Sequence, residues 1–171
     1  MQIRQAKPAD YPVIYDLVKL AFETAKVSDG AEQDFVNTLR ARPTFLPELE
    51  LIAENEEGLA IGHIMLTKTL VTHRDGSPLP ALMVAPLCVR LQNRSCGLGG
   101  RLMHEGLRRA RALGYTCAFL MGDPAYYERF GFRPVVELGL QNESHAPDMY
   151  VLGRPIVPGA LEGVSGGVCL E

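Results

Sequence analysis

The residues of this chain best placed to do chemistry lie in one short loop, Arg94-Ser95-Cys96-Gly97-Leu98-Gly99-Gly100. An apolar run, Ala81 to Val89, precedes it and reads as a strand. After it, Leu102, Met103, Leu107, Ala110 and Leu113 recur with helical spacing, opposite a polar and basic face of Arg101, His104, Glu105, Arg108, Arg109 and Arg111. A strand that feeds a glycine-rich turn and then a helix leaves several backbone N–H groups unpaired and aimed one way, at the positive end of the helix dipole. That is phosphate-binding chemistry. Glycine lets the backbone close in on an anion, and Arg94 would add a charged fork. The same residues fit a plain strand-to-helix turn in which glycine only permits tight packing, and glycine alone does not separate the two readings.

Comparison with the common nucleotide loops narrows the anion. A Walker loop needs Gly-Lys, and the chain contains no such pair. A dinucleotide fingerprint starting at Gly97 would need Gly or Ala at position 102, where Leu102 stands. The pattern that does match is Arg/Gln-x-x-Gly-x-Gly/Ala, through Arg94, Gly97 and Gly99. A second motif follows after an apolar run from Tyr115 to Met121: Gly122-Asp123-Pro124-Ala125-Tyr126-Tyr127-Glu128-Arg129-Phe130-Gly131-Phe132. Asp123-Pro124 is a helix start, a carboxylate cap followed by proline at the first helical position, and Gly131 ends that helix.

In their order and spacing these two motifs resemble the GNAT superfamily of acetyl-CoA-dependent acetyltransferases. The likeness is greatest to a branch of N-acetyltransferases that carries Gly-Asp-Pro-x-Tyr-Tyr-x-Arg-Phe-Gly-Phe. The resemblance implies that Arg94, Ser95, Cys96, Gly97, Leu98, Gly99 and Gly100 hold the coenzyme pyrophosphate. It implies that the strand ending at Leu87, Cys88 and Val89 splays from its neighbour and hydrogen-bonds the pantetheine arm. It puts Tyr127 at the sulfur as general acid, and a phenol with a pKa of ~10 stays protonated at neutral pH, as a donor must. Two family features are missing: Leu91 replaces the usual proline after the central strand, and Leu120 stands where an asparagine is common.

Acetyl transfer to an amine needs a neutral nucleophile, and a lysine-like amine has a pKa of ~10.4, so a base is called for. The run from Ala81 to Val89 holds no Asp, Glu or His. His63, in an apolar strand, is the candidate base; the alternative for such a histidine is a purely structural place. Glu32, Glu48 and Glu50 lie near the expected substrate side without a motif around them.

The chain has 171 residues, 47% hydrophobic and 22% charged, with net charge −3. That suits one globular domain and argues against nucleic acid as partner. No apolar run is long enough to span a membrane and no signal peptide is visible, so a cytoplasmic location is expected. Four widely spaced cysteines suggest neither zinc nor disulfides, and no metal is expected. Cys88 and Cys117 read as core residues, and Cys96 as a loop bystander.

The elements that would carry these motifs read as a strand at Met1 to Gln5, a helix from Pro8 to Glu23 with Val13, Ile14, Leu17, Leu20 and Phe22 as its apolar positions, a helix from Ala31 to Arg42, and strands at Glu48 to Glu54 and Leu59 to Val71. The strand, loop and helix of the opening paragraph follow, then a strand, the Tyr127 helix, and a last strand near Met149 to Leu152. The order β-α-α-β-β-β-α-β-α-β is an α+β layout with a central mixed, mostly antiparallel sheet flanked by helices, which is also the GNAT order. Residues 1–152 form the expected domain, and residues 153–171 a Gly/Pro-rich tail packed on it or extending it, either lying along the domain or forming a short strand at Val168-Cys169-Leu170.

The functional expectation is transfer of an acetyl or short acyl group from acetyl-CoA to a small-molecule or peptide amine, by a monomer or homodimer. The alternative is a coenzyme-binding module that does not catalyse. Segments free to shape an acceptor pocket are Val27 to Gln33, Arg42 to Pro47, and the residues after Phe132.

Overall fold

A computed structural model describes residues 1–25 and 28–171. Lys26 and Val27 lie outside the described residues, and Val27 is the first residue of the expected acceptor segment Val27 to Gln33. The strands are β1 (Gln2–Gln5), β2 (Glu50–Glu54), β3 (Ala60–His73), β4 (Pro78–Val89), β5 (Cys117–Met121), β6 (Arg133–Pro134), β7 (Leu140–Asn142), β8 (Val151–Pro155) and β9 (Gly166–Val168). The α-helices are α1 (Tyr11–Phe22), α2 (Glu32–Arg40), α3 (Leu98–Ala112) and α4 (Pro124–Tyr127). Two compact units emerge, residues 1–67 with 85–109, and residues 68–84 with 110–171. Strands β3 and β4 contribute one half to each.

In the first unit β1, β2 and the first half of β3 pair antiparallel, with Ile52 opposite His63 and Glu50 opposite Met65. The Arg90 amide donates to the Ile61 carbonyl at 2.9 Å, which continues the antiparallel ladder to the end of β4. Helix α3 lies on one face because that face is small where the helix crosses. A Cβ on Gly62 would meet Leu102 Cδ1 at 2.8 Å, and one on Gly106 would meet Leu66 Cδ1 at 2.9 Å. Leu98, Leu102, Met103, Leu107 and Ala110 are buried there, as the helical spacing predicts, whereas Leu113 is exposed past the end of the helix. On α1 the buried positions are Ile14, Leu17, Val18 and Ala21. Val13 and Leu20, expected on the inner face, point outward. Two helical positions to one side of the expected stripe, Val18 and Ala21 complete the face with Ile14 and Leu17.

In the second unit β5 pairs parallel with β4 at Leu82↔Ala118 and Met83↔Phe119, and antiparallel along its whole length with β8. β8 pairs in turn with β6. The Gly/Pro-rich tail supplies a strand, at Gly166–Val168 rather than at the apolar Val168-Cys169-Leu170. It inserts between β3 and β7, antiparallel to one and parallel to the other. Glycine is what allows this approach. Gly166 has φ 154°, and a Cβ there would run into the Thr72 carbonyl. Gly166→Ala is therefore expected to unseat β9 and lower stability by more than ~2 kcal/mol, read as a fall in the urea midpoint at unchanged slope.

Candidate active site

The glycine loop folds as an anion cradle would. Ser95 and Gly97 both take the left-handed conformation, with φ of 62° and 78°. The chain thereby turns sharply, and Ser95, Cys96 and Gly97 are exposed ahead of α3. Among the described residues no backbone hydrogen bond engages the amides of Ser95 to Gly100; the Arg101 amide is the first to be satisfied, by the Gly97 carbonyl at 3.1 Å. A Cβ added at Gly97 would meet open space, and the first turn of α3 contains no acidic residue. A shallow groove of about 460 Å³, lined by Ile3, Arg101, His104, Glu105 and Arg108, runs along the exposed face of the same helix. Three of its five residues can carry positive charge. The Cys96 thiol donates to the Asn93 carbonyl at 2.7 Å and so closes the turn.

Arg94 is used differently from the expectation of a free fork. Its Nε donates to the Val89 carbonyl at 3.1 Å, Nη1 to Thr24 Oγ1 at 2.9 Å, and Nη2 to the Ala21 carbonyl at 2.6 Å. A guanidinium at the carboxyl end of α1 satisfies an orphan carbonyl and complements the helix dipole. Arg94 thus ties the end of β4 to the end of α1, and it has only the remaining two of its five N–H donors for an anion.

Strand β4 carries Leu87, Cys88 and Val89. Its pairing to β5 is confined to Leu82 and Met83. Beyond them, among the described residues, β4 has a strand partner on one edge only; the ladder set by Arg90 turns the main-chain groups of Cys88 toward β3 and those of Leu87 and Val89 toward the open edge, where the Val89 carbonyl already accepts from Arg94. Cys88 is buried, and burial pushes its thiol up to about 12, which makes it an inert core residue. Tyr127, on α4, is half-buried. Its ring lies against Gly122, where a Cβ would meet Cε2 at 2.5 Å, and makes edge contacts with Tyr126 and Phe132 at centroid distances of 4.9 and 6.1 Å. The helix start is as the sequence predicts: Asp123 accepts from the Ala125 amide at 2.9 Å, and Gly131 ends the segment with φ 81°. Arg154 donates to the Phe130 carbonyl and holds this end in place.

His63 is fully enclosed, and it is not alone. Its Nε2 lies 3.0 Å from Glu50 Oε1. Glu50 is 1% exposed and receives Arg40 through Nε at 3.1 Å to each oxygen, and through Nη2. The guanidinium of Arg40 stacks 3.8 Å from the centre of the Tyr11 ring, and its Nη1 donates to Asn37 Oδ1 at 2.8 Å. Four elements thus meet in one network: α1, α2, β2 and β3. Sequence reasoning placed His63 and Glu50 on the substrate side but missed Arg40. The legible signal was a carboxylate and a histidine at buried positions of two neighbouring strands. Among the described residues no cluster of three or more His, Cys, Asp or Glu side chains could hold a metal, and no helix is long and apolar enough to cross a membrane.

A family model described as "Acetyltransferase (GNAT) domain" matches residues 2–135. The chain belongs to the GNAT acetyltransferase family. It is 33% identical over 166 residues to the N-acetyltransferase YhbS of Escherichia coli K12, covering 97% of this chain and 93% of that one. The crystal structure of Escherichia coli YhbS in complex with CoA superposes with a TM-score of 0.84 at 31% identity, over 99% of this chain and 89% of that one. A GNAT family acetyltransferase from Brucella melitensis, in complex with acetyl-CoA, gives 0.78 at 28% identity, over 99% and 95%. The mixed, mostly antiparallel α+β sheet is the family's fold, and the chain is an N-acetyltransferase.

In this GNAT enzyme the Glu50 network has a defined charge state. Burial opposes the Glu50 charge, but the hydrogen bonds from His63 and Arg40 outweigh it and hold the carboxyl below its ordinary value of 4.5. Burial depresses His63 below its ordinary 6.5, more than Glu50 raises it. At neutral pH Glu50 is therefore charged and His63 is neutral. Both shifts mean that the unfolded chain binds more protons than the folded one, so stability is lost as pH falls, first below 6.5 and then below 4.5. The urea midpoint is expected to drop between pH 7.5 and 5.5, and His63→Gln to flatten that part of the profile.

Proposed function

We propose that this chain moves an acetyl or other short acyl group from acetyl-CoA to a primary amine by direct attack of the amine on the thioester. The observation that carries the reading is the loop from Ser95 to Gly100: unpartnered amides, left-handed turns and open space at Gly97, at the positive end of a helix with no acid in its first turn. Those features fit a pyrophosphate, and the two solved relatives named above hold CoA and acetyl-CoA. The remaining Arg94 donors and Arg101, in the groove along α3, add positive charge near the loop, whereas Arg108 in the same groove is paired with Glu105.

The open edge of β4 at Leu87 and Val89 offers main-chain groups to the pantetheine arm and to the thioester carbonyl, where donors favour the developing oxyanion. Tyr127 serves as the proton donor to the departing thiolate. Its ring is fixed by Gly122, Tyr126 and Phe132, so little side-chain freedom has to be lost for its hydroxyl to act. No metal takes part in this scheme. The acceptor is a small-molecule or peptide amine. The four free cysteines accord with a reducing, cytoplasmic setting.

Isothermal titration with CoA and thiol release from acetyl-CoA in the presence of a primary-amine panel test the two halves of this reading. Gly97→Asp places a carboxylate in the open space of the loop and is expected to abolish CoA binding while leaving the fold intact. Tyr127→Phe is expected to slow turnover about 100-fold with CoA affinity unchanged. Tight CoA binding without turnover on any amine would favour the non-catalytic module instead.

A further inference from the structure

The Arg40–Glu50–His63 network is more than a paired buried charge, because it leaves one polar atom over. Every charged atom in it is satisfied, yet His63 Nδ1 is buried with no hydrogen-bond partner among the described residues. An unpartnered buried polar atom destabilises the fold, and two apolar residues in place of Glu50 and His63 would avoid that cost. The tautomer follows from the charges. Glu50 is an ionised carboxylate and can only accept, so Nε2 must carry the hydrogen and donate. In a neutral imidazole Nδ1 is then a bare lone pair, a proton acceptor held in place by a carboxylate on its other nitrogen. That is how general bases are oriented in hydrolases and transferases alike.

The location matches the chemistry. His63 is next to Gly62, whose added Cβ would lie 3.4 Å from the Cys88 carbonyl. The Arg90–Ile61 hydrogen bond sets a ladder in which Cys88 falls opposite His63, and the Cys88 thiol meets the His63 backbone. His63 is therefore one strand away from the open edge at Leu87 to Val89. It lies on the sheet face turned to α1 and α2, away from the Gly62 face under α3.

We propose that His63 Nδ1 is the proton acceptor of acyl transfer, with Glu50 and Arg40 as positioning residues that fix its tautomer. This rests on the acetyltransferase reading above. As the amine nitrogen bonds to the acyl carbon, its N–H bond breaks and the proton passes to the enclosed Nδ1 across one water. The C–S electron pair leaves with the thiolate, which takes a proton from Tyr127. The proton on His63 returns to the tyrosinate through solvent, so a neutral amine and acetyl-CoA give amide and free CoA with no net proton change. The groups that face His63 from the elements around it are Glu50 on β2, Arg40 on α2 and the un-ionised Cys88 thiol on β4, with Tyr11 of α1 stacked behind Arg40.

The first test needs no acceptor. Imidazole 15N NMR of the wild-type protein, with the His63 signal assigned by its loss in His63→Gln, should show the neutral Nε2–H tautomer at pH 7.5; the Nδ1–H tautomer would overturn the proposal. The second uses thiol release with the amine panel. His63→Gln keeps a donor to Glu50, and is expected to lower kcat at least ~100-fold with CoA affinity unchanged. It should also erase the acidic limb of the kcat/KM profile. Glu50→Gln removes the charge that favours protonated His63 and should move that limb to lower pH, which a merely structural role would not do. Wild-type turnover with both profiles unchanged in the variants refutes the base and leaves the acetyltransferase reading standing. Wild-type protein that binds no CoA refutes the acetyltransferase reading itself, and the base with it.

Discussion

The constraint on which the first unit depends is the ionised carboxylate of Glu50, 1% exposed at the start of a strand whose next three residues, Leu51, Ile52 and Ala53, are apolar. A charge taken out of water is tolerated only when it is paired and hydrogen-bonded, and removing one partner of such a pair costs ~3–5 kcal/mol. Arg40 must therefore come down from α2, and it brings Tyr11 on α1 with it through the stacked ring. His63 must present Nε2 from β3. A single buried charge thus sets how two helices lie on two strands, and it sets the proton inventory of a histidine beside β4. Structure and chemistry share one cause here.

The other half of the cradle is built by omission. Gly62 and Gly106 remove side chains where α3 crosses β3, so the helix lies close to the sheet. Arg94 then spends three donors on main-chain and threonine oxygens and fixes where the loop leaves β4. With both ends of the loop held, its amides make no backbone hydrogen bond among the described residues, and Ser95, Cys96 and Gly97 are exposed. The second unit uses the same device at Gly122, where the missing Cβ makes room for the Tyr127 ring.

The parts of this enzyme that were legible beforehand are those written in local physics. Helix α3 follows from spacing, the cap at Asp123-Pro124 from the chemistry of a helix start, and the loop from glycine and helix-terminus electrostatics. The family pattern in Arg94, Gly97, Gly99 and the Tyr127 segment pointed to the acetyltransferase family, whose model matches residues 2–135. The inner face of α1 was misread by two positions because Val13 and Leu20 are apolar yet exposed. Apolar residues on the surface cost little, so a pattern count cannot reject them. The tail strand was placed two residues late, since two adjacent glycines carry no strand propensity; they pair because backbone, not side chains, fits between β3 and β7.

Sequence alone determined the order of elements as far as α4, the glycine loop and the tyrosine helix, because each is encoded within a dozen residues of chain, whereas the short strands after α4 exceed the one expected there. Only the tertiary structure decided what Arg94 and His63 do. Arg94 looked like a ligand fork until α1 was seen to end beside it, 73 residues earlier in the chain. His63 looked like a lone strand histidine until Glu50 and Arg40 closed around it from separate elements. A side chain's hydrogen-bonding state depends on which distant groups share its low-dielectric surroundings, and that is settled by packing rather than by neighbours in sequence.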